Sequence, residues 1–212
     1  MTAAIKKDIQ QIAPLPMPVS FEQFIAWYPE NSSHRYELRR GAIFQMPKPK
    51  GKHSEVAGFI HDELAFEIKR ANYAYFIPRE CIVKVSSSTG YEPDVIVLNR
   101  KSLATEPLWE ASSTVENGKT IGLIVEVVSS NWQDDYELKL AAYEAIGIPE
   151  YWIVDYAGLG GVRHIGRPKQ PTLTVCRLVD GEYEVSRIRA SETLPEGLSP
   201  KFGAIAQSVL QV

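Results

Sequence analysis

Cysteine is scarce in this sequence. The two that occur, Cys81 and Cys176, lie far apart with no paired spacing. That excludes a disulfide framework and a cysteine-built zinc site, and it makes a reducing cytoplasm the default compartment. Long hydrophobic runs are missing as well. The start, MTAAIKKDIQQIAPLPMP, has no apolar signal core, and no stretch approaches the roughly 18–20 apolar residues of a membrane span. An excess of positive charge is also absent. Lys and Arg number 23 against 26 Asp and Glu, a formal net charge of −3, with a pI near 5.9. No global basic field draws nucleic acid, so any such binding must rest on a local patch or on metal ions.

What is present suits one globular domain. The chain has 212 residues, 44% of them hydrophobic, enough for a sizeable core. Residues 1–18, polar and then proline-rich, read as a flexible arm ahead of a single domain over 19–212. SFEQFIAWYPE predicts a short helix capped by Ser20, with Gln23 at the capping-box position and Phe24 and Trp27 packed inward. RYELRRGAIFQMP predicts a hairpin turning at Gly41. A helix follows from His53 to about Arg70, with Val56, Ile60, Leu64 and Ile68 in one stripe. FIPRECIVKV and PDVIVL are strand candidates, and KSLATEPLWEASSTVENGKT is a long polar loop. IGLIVEVV predicts a strand, and a helix from Trp132 to Ile146 stops at Gly147 and Pro149. EYWIVD is a further strand, and Asp180-Gly181 turns a last hairpin. This order predicts an α/β or α+β fold with a mixed sheet flanked by helices and added β-hairpins.

The chemistry concentrates around IGLIVEVV. Glu126 stands among Val125, Val127 and Val128, where an unpaired charge costs several kcal/mol. A carboxylate there needs a cleft or a cation. Asp94 follows Pro93, which fixes the backbone before DVIVL. Acidic residues projecting from neighbouring strand ends can share Mg²⁺, which takes one or two carboxylates plus waters and a substrate phosphate. On the following helix Asp135, Lys139 and Tyr143 recur at i, i+4 beside an apolar stripe of Leu138, Ala142 and Ile146. The stem of Lys139 can reach back over the strand ends. Two carboxylates and a lysine in one place meet the need of metal-assisted phosphodiester cleavage. Plainer readings compete with this one. Asp135 and Lys139 could form an exposed ion pair worth ~0.3–0.5 kcal/mol. Asp94 could be a turn residue, His53 a capping histidine and Glu37 a solvated strand residue. His34, His61 and His164 show no partner spacing.

Pro93-Asp94, LIVEVVS, the Asp135–Lys139–Tyr143 series and GIPEYWIVD, together with YELRRGAIFQMP and the histidine after it, closely resemble the Uma family of endonuclease-like proteins. That family looks like a branch of the PD-(D/E)xK, restriction-endonuclease-like superfamily, and the resemblance runs from about Phe21 to the last hairpin. It implies a restriction-endonuclease-like core with a central mixed sheet, often as a homodimer. It also implies a Mg²⁺- or Mn²⁺-dependent endonuclease acting on DNA. The superfamily pattern, an aspartate and then an acidic residue two positions before a lysine, falls on Asp94 and Glu126 as metal ligands. The lysine position is Val128, so the resemblance implies that Lys139, from the following helix, replaces it. Glu37 and His53 match further polar positions of the site.

An endonuclease is therefore the leading expectation. The alternative is a non-catalytic DNA- or protein-binding module on a nuclease-derived fold, favoured by the acidic pI and by Val128. A local basic patch of Lys48, Lys50, Lys52, Arg39 and Arg40 could contact phosphates in either case. A two-carboxylate glycosidase is a third class, and it gains nothing from Lys139.

Overall fold

The computed structural model describes residues 10–11, 18–30, 32–189, 205 and 208–209. The expected N-terminal arm falls outside the described residues except for Pro18 and Gln10–Gln11, which pair as a short strand (β1). The capping box forms as expected. Ser20 Oγ accepts from the Gln23 backbone N–H and Gln23 Oε1 from that of Ser20, opening a helix over Phe21–Trp27 (α1). Phe21 and Phe24 bury. Trp27 does not, at 41% exposed, because it lies three residues after Phe24 on the solvent edge of a helix only seven residues long.

The expected mixed α/β architecture with flanking helices is present, and among the described residues its strands form two six-stranded mixed sheets. The first is built on the hairpin Tyr36–Arg39 (β2) and Ala42–Gln45 (β3). Arg40 and Gly41 take φ of 50° and 79°, the left-handed pair that a two-residue hairpin turn demands. After Gly51–Arg70 (α2) and Tyr75–Phe76 (β4), the strands Ile82–Ser86 (β5) and Thr89–Tyr91 (β6) join β2, antiparallel. The short β6 hides in sequence because it spans three residues, one of them Gly90.

Glu92, Pro93 and Asp94 then carry the chain from the first sheet into the second, whose first long strand is Val95–Asn99 (β7). The long polar segment that follows is not a plain loop. It folds into two single-turn helices, Arg100–Leu103 (α3) and Trp109–Ser112 (α4), and a short strand, Thr114–Val115 (β8), parallel to β5. Ile121–Val127 (β9) pairs antiparallel with β7 and parallel with Glu150–Asp155 (β10). A helix starting at Trp132 and ending as Leu140–Ala145 (α5) makes the crossover between β9 and β10. Single-turn Val162–Ile165 (α6) precedes the last hairpin, Thr172–Val179 (β11) and Glu182–Arg189 (β12). No helix among the described residues is long and apolar enough to cross a membrane.

The second sheet is covered on both faces. Val56, Ile60, Leu64 and Ile68 of α2 pack on Val95, Val97, Leu123, Val125 and Trp152. On the other face, Tyr143 and the partly buried Leu140 and Ala142 pack on Ile96, Ile124, Val128 and Tyr151. This double cover explains why β9 and β10 read as near-continuous apolar runs. The expected helix over Trp132–Ile146 forms, with its burial rotated. Leu138 is 42% exposed, while Asp135, Tyr136, Lys139 and Tyr143 are buried. Its first half, Asp134–Lys139, is a π-helical turn, a widening that occurs often at functional sites.

Gly118 fixes the far end of this helix. A Cβ there would meet the Ile146 carbonyl oxygen at 2.1 Å and the Gly147 carbonyl carbon at 2.8 Å. Backbone cannot yield as a flexible side chain would. Gly118→Ala is expected to lower stability by about 1–3 kcal/mol, read as a fall in the urea midpoint at unchanged m-value. An unchanged midpoint would contradict the tight seating of the helix end.

Candidate active site

The site forms where the two sheets meet the crossover helix. Asp94 and Glu126 reach it from adjacent strands. The β7–β9 register pairs Val95 with Val125 and Ile96 with Ile124, and one further step sets Asp94 opposite Glu126. Pro93 has no N–H to lose at this strand entry.

Lys139 is 4% exposed, so the exposed ion-pair reading fails. Its Nζ lies 2.9 Å from Glu126 Oε2, 3.5 Å from Glu37 Oε1 and 3.5 Å from Asp135 Oδ1. It also stands 5.7 Å from the Tyr91 ring centre. The Tyr143 hydroxyl donates to Glu126 Oε1 at 3.1 Å. Glu37 is fully buried, contrary to the solvated reading, and its other oxygen takes two bonds from Arg39, at 2.9 and 2.6 Å. Arg39 continues to Asp134 at 2.7 Å. A second group surrounds Asp94. Its Oδ2 accepts from the Val127 backbone N–H at 2.9 Å and faces His53 Nε2 at 3.3 Å. Its Oδ1 faces Arg35 at 3.6 Å, beyond hydrogen-bond reach.

Of the five expected site residues, Glu37, Glu126 and Lys139 are in direct contact, while Asp94 and His53 form a second group tied to the backbone of Val127 next to Glu126. The basic patch does not assemble as expected. Arg39 is committed to Glu37 and Asp134 with its side chain 13% exposed, and Lys52 pairs with Glu55 at 3.2 Å. Sequence reading passed over Arg35, the buried Glu92 and the buried role of Asp135. The signal for Arg35 was present, since three arginines bracket the one glutamate of HRYELRRG. His164 also has partners: it stacks on Tyr136 at 4.7 Å and lies 3.7 Å from Glu137.

The sequence matches the Uma2 family, described as "Putative restriction endonuclease", over residues 21–206. The chain belongs to the Uma2 family. A solved structure described as "a putative nuclease belonging to DUF820 from Anabaena variabilis ATCC 29413" is similar over 92% of this chain and 98% of that one. The TM-score is 0.65 and the identity 18%, a likeness of fold. No curated protein matches the chain. The fold and the family are thus nuclease-like.

The electrostatics of the cluster show an imbalance of charge. Burial pushes the Glu126 carboxyl up to about 8, reinforced by Asp94, Asp135 and Glu37 and opposed by Lys139. Burial likewise pushes Asp135 up to about 7, with Asp94, Asp134 and Glu37 adding to it against Lys139. Lys139 is held well above the ordinary lysine value. Burial opposes its charge, and Glu126, Glu37 and Asp135 overcome that. Asp94 behaves oppositely. Despite burial, His53, Arg35 and the Val127 N–H hold it below the usual carboxylate range. One ammonium thus faces three buried carboxylates, one of them shared with Arg39. Like charges in such proximity cannot all ionise without a further cation or a retained proton.

Asp94 and Glu126 are the two carboxylates here that could be offered to a hard divalent ion. Each carboxylate has about four lone-pair sites, of which the contacts above use only part. Among the described residues no group of three or more His, Cys, Asp and Glu is arranged to hold a metal ion. Two carboxylates completed by waters and a phosphate are the usual Mg²⁺ arrangement.

Two outcomes follow. Glu126 has its folded pKa raised above the unfolded value, so the stability of the metal-free protein should fall as pH rises from about 4.5 to about 8. Glu126→Gln, neutral throughout, should flatten that fall in urea midpoints taken between pH 5 and 8, and parallel slopes would refute the retained proton. Lys139→Met should cost about 3–5 kcal/mol, because it strands buried carboxylates without their counter-ion. A loss under about 0.5 kcal/mol would return Lys139 to the surface-pair reading.

Proposed function

We propose that this chain is a metal-dependent DNA endonuclease hydrolysing phosphodiester bonds. Lys139, arriving from the crossover helix, supplies the cation that Val128 cannot. The observation that carries this is the 2.9 Å contact between Lys139 Nζ and Glu126 Oε2, beside an Asp94 that stays ionised at the strand opposite.

Asp94 and Glu126 would hold Mg²⁺ or Mn²⁺, which when bound supplies a Lewis acid for the phosphate and acidifies a water. The protein does the rest by position and charge. The Val127 N–H, His53 and Arg35 fix Asp94 in its ionised form. Tyr143 and Lys139 orient the two oxygens of Glu126. The Lys139 ammonium lies where it offsets charge developing on a phosphate oxygen. Glu37, itself fixed by Arg39, holds Lys139 from the other sheet. Arg35 has its side chain 36% exposed, so it can meet a DNA phosphate as well as Asp94. A pair of such sites in a homodimer would cut both strands, and light scattering at about twice 23.7 kDa is the expected mass.

The second reading is a DNA-binding module that keeps the cluster as structure. It is favoured by the saturation of Lys139, whose ammonium is already engaged with three carboxylates. Plasmid nicking with Mg²⁺ or Mn²⁺ separates the two. Asp94→Asn and Glu126→Gln, both shape-preserving, should each cut the rate by 10²-fold or more, about 2.7 kcal/mol of barrier, with folded spectra retained. Wild-type rates in both variants would exclude these carboxylates from catalysis. No cleavage by the native chain on any DNA form would favour the binding module.

A further inference from the structure

Beside the candidate site lies a cavity of about 540 Å³, within the roughly 300–1,000 Å³ range of small-molecule sites. Tyr28, Ser33, Arg35, Arg79, Glu80 and Glu92 line it, with neighbouring loop residues. Apart from Arg35, none of these touches the expected metal-ligand pair. Arg35 joins the two places. It lines the cavity, its Nη2 donates to the Glu92 carbonyl oxygen at 3.1 Å, and the same nitrogen stands 3.6 Å from Asp94 Oδ1. Glu92 is buried at 4% exposure and held by the Tyr28 hydroxyl at 3.1 Å and by Arg35 at 3.5 Å.

The lining is mixed in sign, and that decides the occupant. Arg35 and Arg79 suit a phosphate, whereas Glu80 and Glu92 repel one. Carboxylates at a nucleic-acid site find their favourable partners in base amino groups such as cytosine N4. In a paired duplex the amino N–H left free by pairing lies in the major groove, set back from the phosphates, so a single pocket does not meet a phosphate and that edge together. An unstacked nucleotide presents both at once. The cavity is also far larger than a lone phosphate needs, and Tyr28 and Pro29 give it an apolar wall.

We propose that this cavity receives one unstacked nucleotide next to the scissile phosphate. Its phosphate rests on Arg35 and its amino-bearing base edge faces Glu80 and Glu92. The substrate class is then DNA with an unpaired or extrudable nucleotide rather than uniform duplex. This rests on the phosphodiester reading of the adjoining site, and it is tested by binding without cleavage.

The probes are fluorescent duplexes, one fully paired, one with a single bulged cytidine and one with a single bulged thymidine, titrated with the whole protein in EDTA. The bulged cytidine should bind tenfold or more tighter than the paired duplex, and about fivefold tighter than the bulged thymidine, as amino-group readout requires. Ser33→Trp, at an exposed loop position, should fill the cavity and remove the bulge preference while leaving paired-duplex affinity intact. Glu80→Ala, also exposed, should bring cytidine and thymidine to equal affinity and keep a bulge preference. Equal binding of bulged and paired DNA, or an undiminished preference in both variants, overturns the proposal and leaves the endonuclease reading standing. Absence of binding to any DNA in EDTA overturns this proposal, and plasmid cleavage with Mg²⁺ decides the endonuclease reading separately. Retained bulge preference with no cleavage in Mg²⁺ removes only catalysis.

Discussion

The architecture turns on one buried ammonium. Lys139 comes from the crossover helix, Glu37 from the first sheet and Glu126 from the second. No apolar contact could tie these three elements with the same dependence on position. A lysine in a dry site is tolerated only where carboxylates compensate it, and the carboxylates in turn depend on the lysine, with Arg39 sharing Glu37. Moving any element by a few ångströms leaves a charge unpaired at a cost of several kcal/mol. The cluster therefore fixes sheet against sheet and helix against both, and Arg39 between Glu37 and Asp134 repeats the same bridge one layer out.

That constraint also organises the chemistry. Crowding carboxylates around one ammonium leaves an excess of negative charge, and protons or cations must answer it. Asp94 escapes the crowding, because the Val127 N–H donates to it and His53 and the Arg35 charge face it. Two carboxylates on opposed strands thus carry different affinities for protons. Such a separation is the usual way one site keeps one acid ionised while poising another near neutrality. The π-helical turn over Asp134–Lys139 fits the same picture, since it sits in the stretch that supplies Asp135 and Lys139 together.

Much of the candidate site was legible because charge in an apolar strand is costly and so is seldom idle. Glu126 declared itself by its neighbours, and the i, i+4 spacing of Asp135, Lys139 and Tyr143 placed them on one side of a helix. Which side was a different matter. Hydrophobic periodicity assigned the core face to Leu138, Ala142 and Ile146, and the structure exposes Leu138 while burying Lys139. Periodicity counts apolar atoms along one helix, whereas the burial of a lysine is decided by carboxylates on other elements. Arg39 escaped for the same reason. It read as a surface phosphate contact; Glu37 stands two residues away on the same strand, but Asp134 comes from a distant helix that only the fold brings to it.

The sequence by itself determined the local elements. Ser20 with Gln23 set a helix start, Arg40-Gly41 and Asp180-Gly181 set two hairpin turns, and the stripe from Val56 to Ile68 set a buried helix face, because capping, positive φ and side-chain period act over a few residues. It also determined that Glu126 needed a partner. Only the tertiary structure decided that there are two sheets, that Glu92-Pro93-Asp94 crosses between them, and that Glu37 faces Lys139 rather than solvent. Each of these depends on long-range pairing, and the free energy of a buried charge is set by whichever groups the whole fold brings within a few ångströms of it.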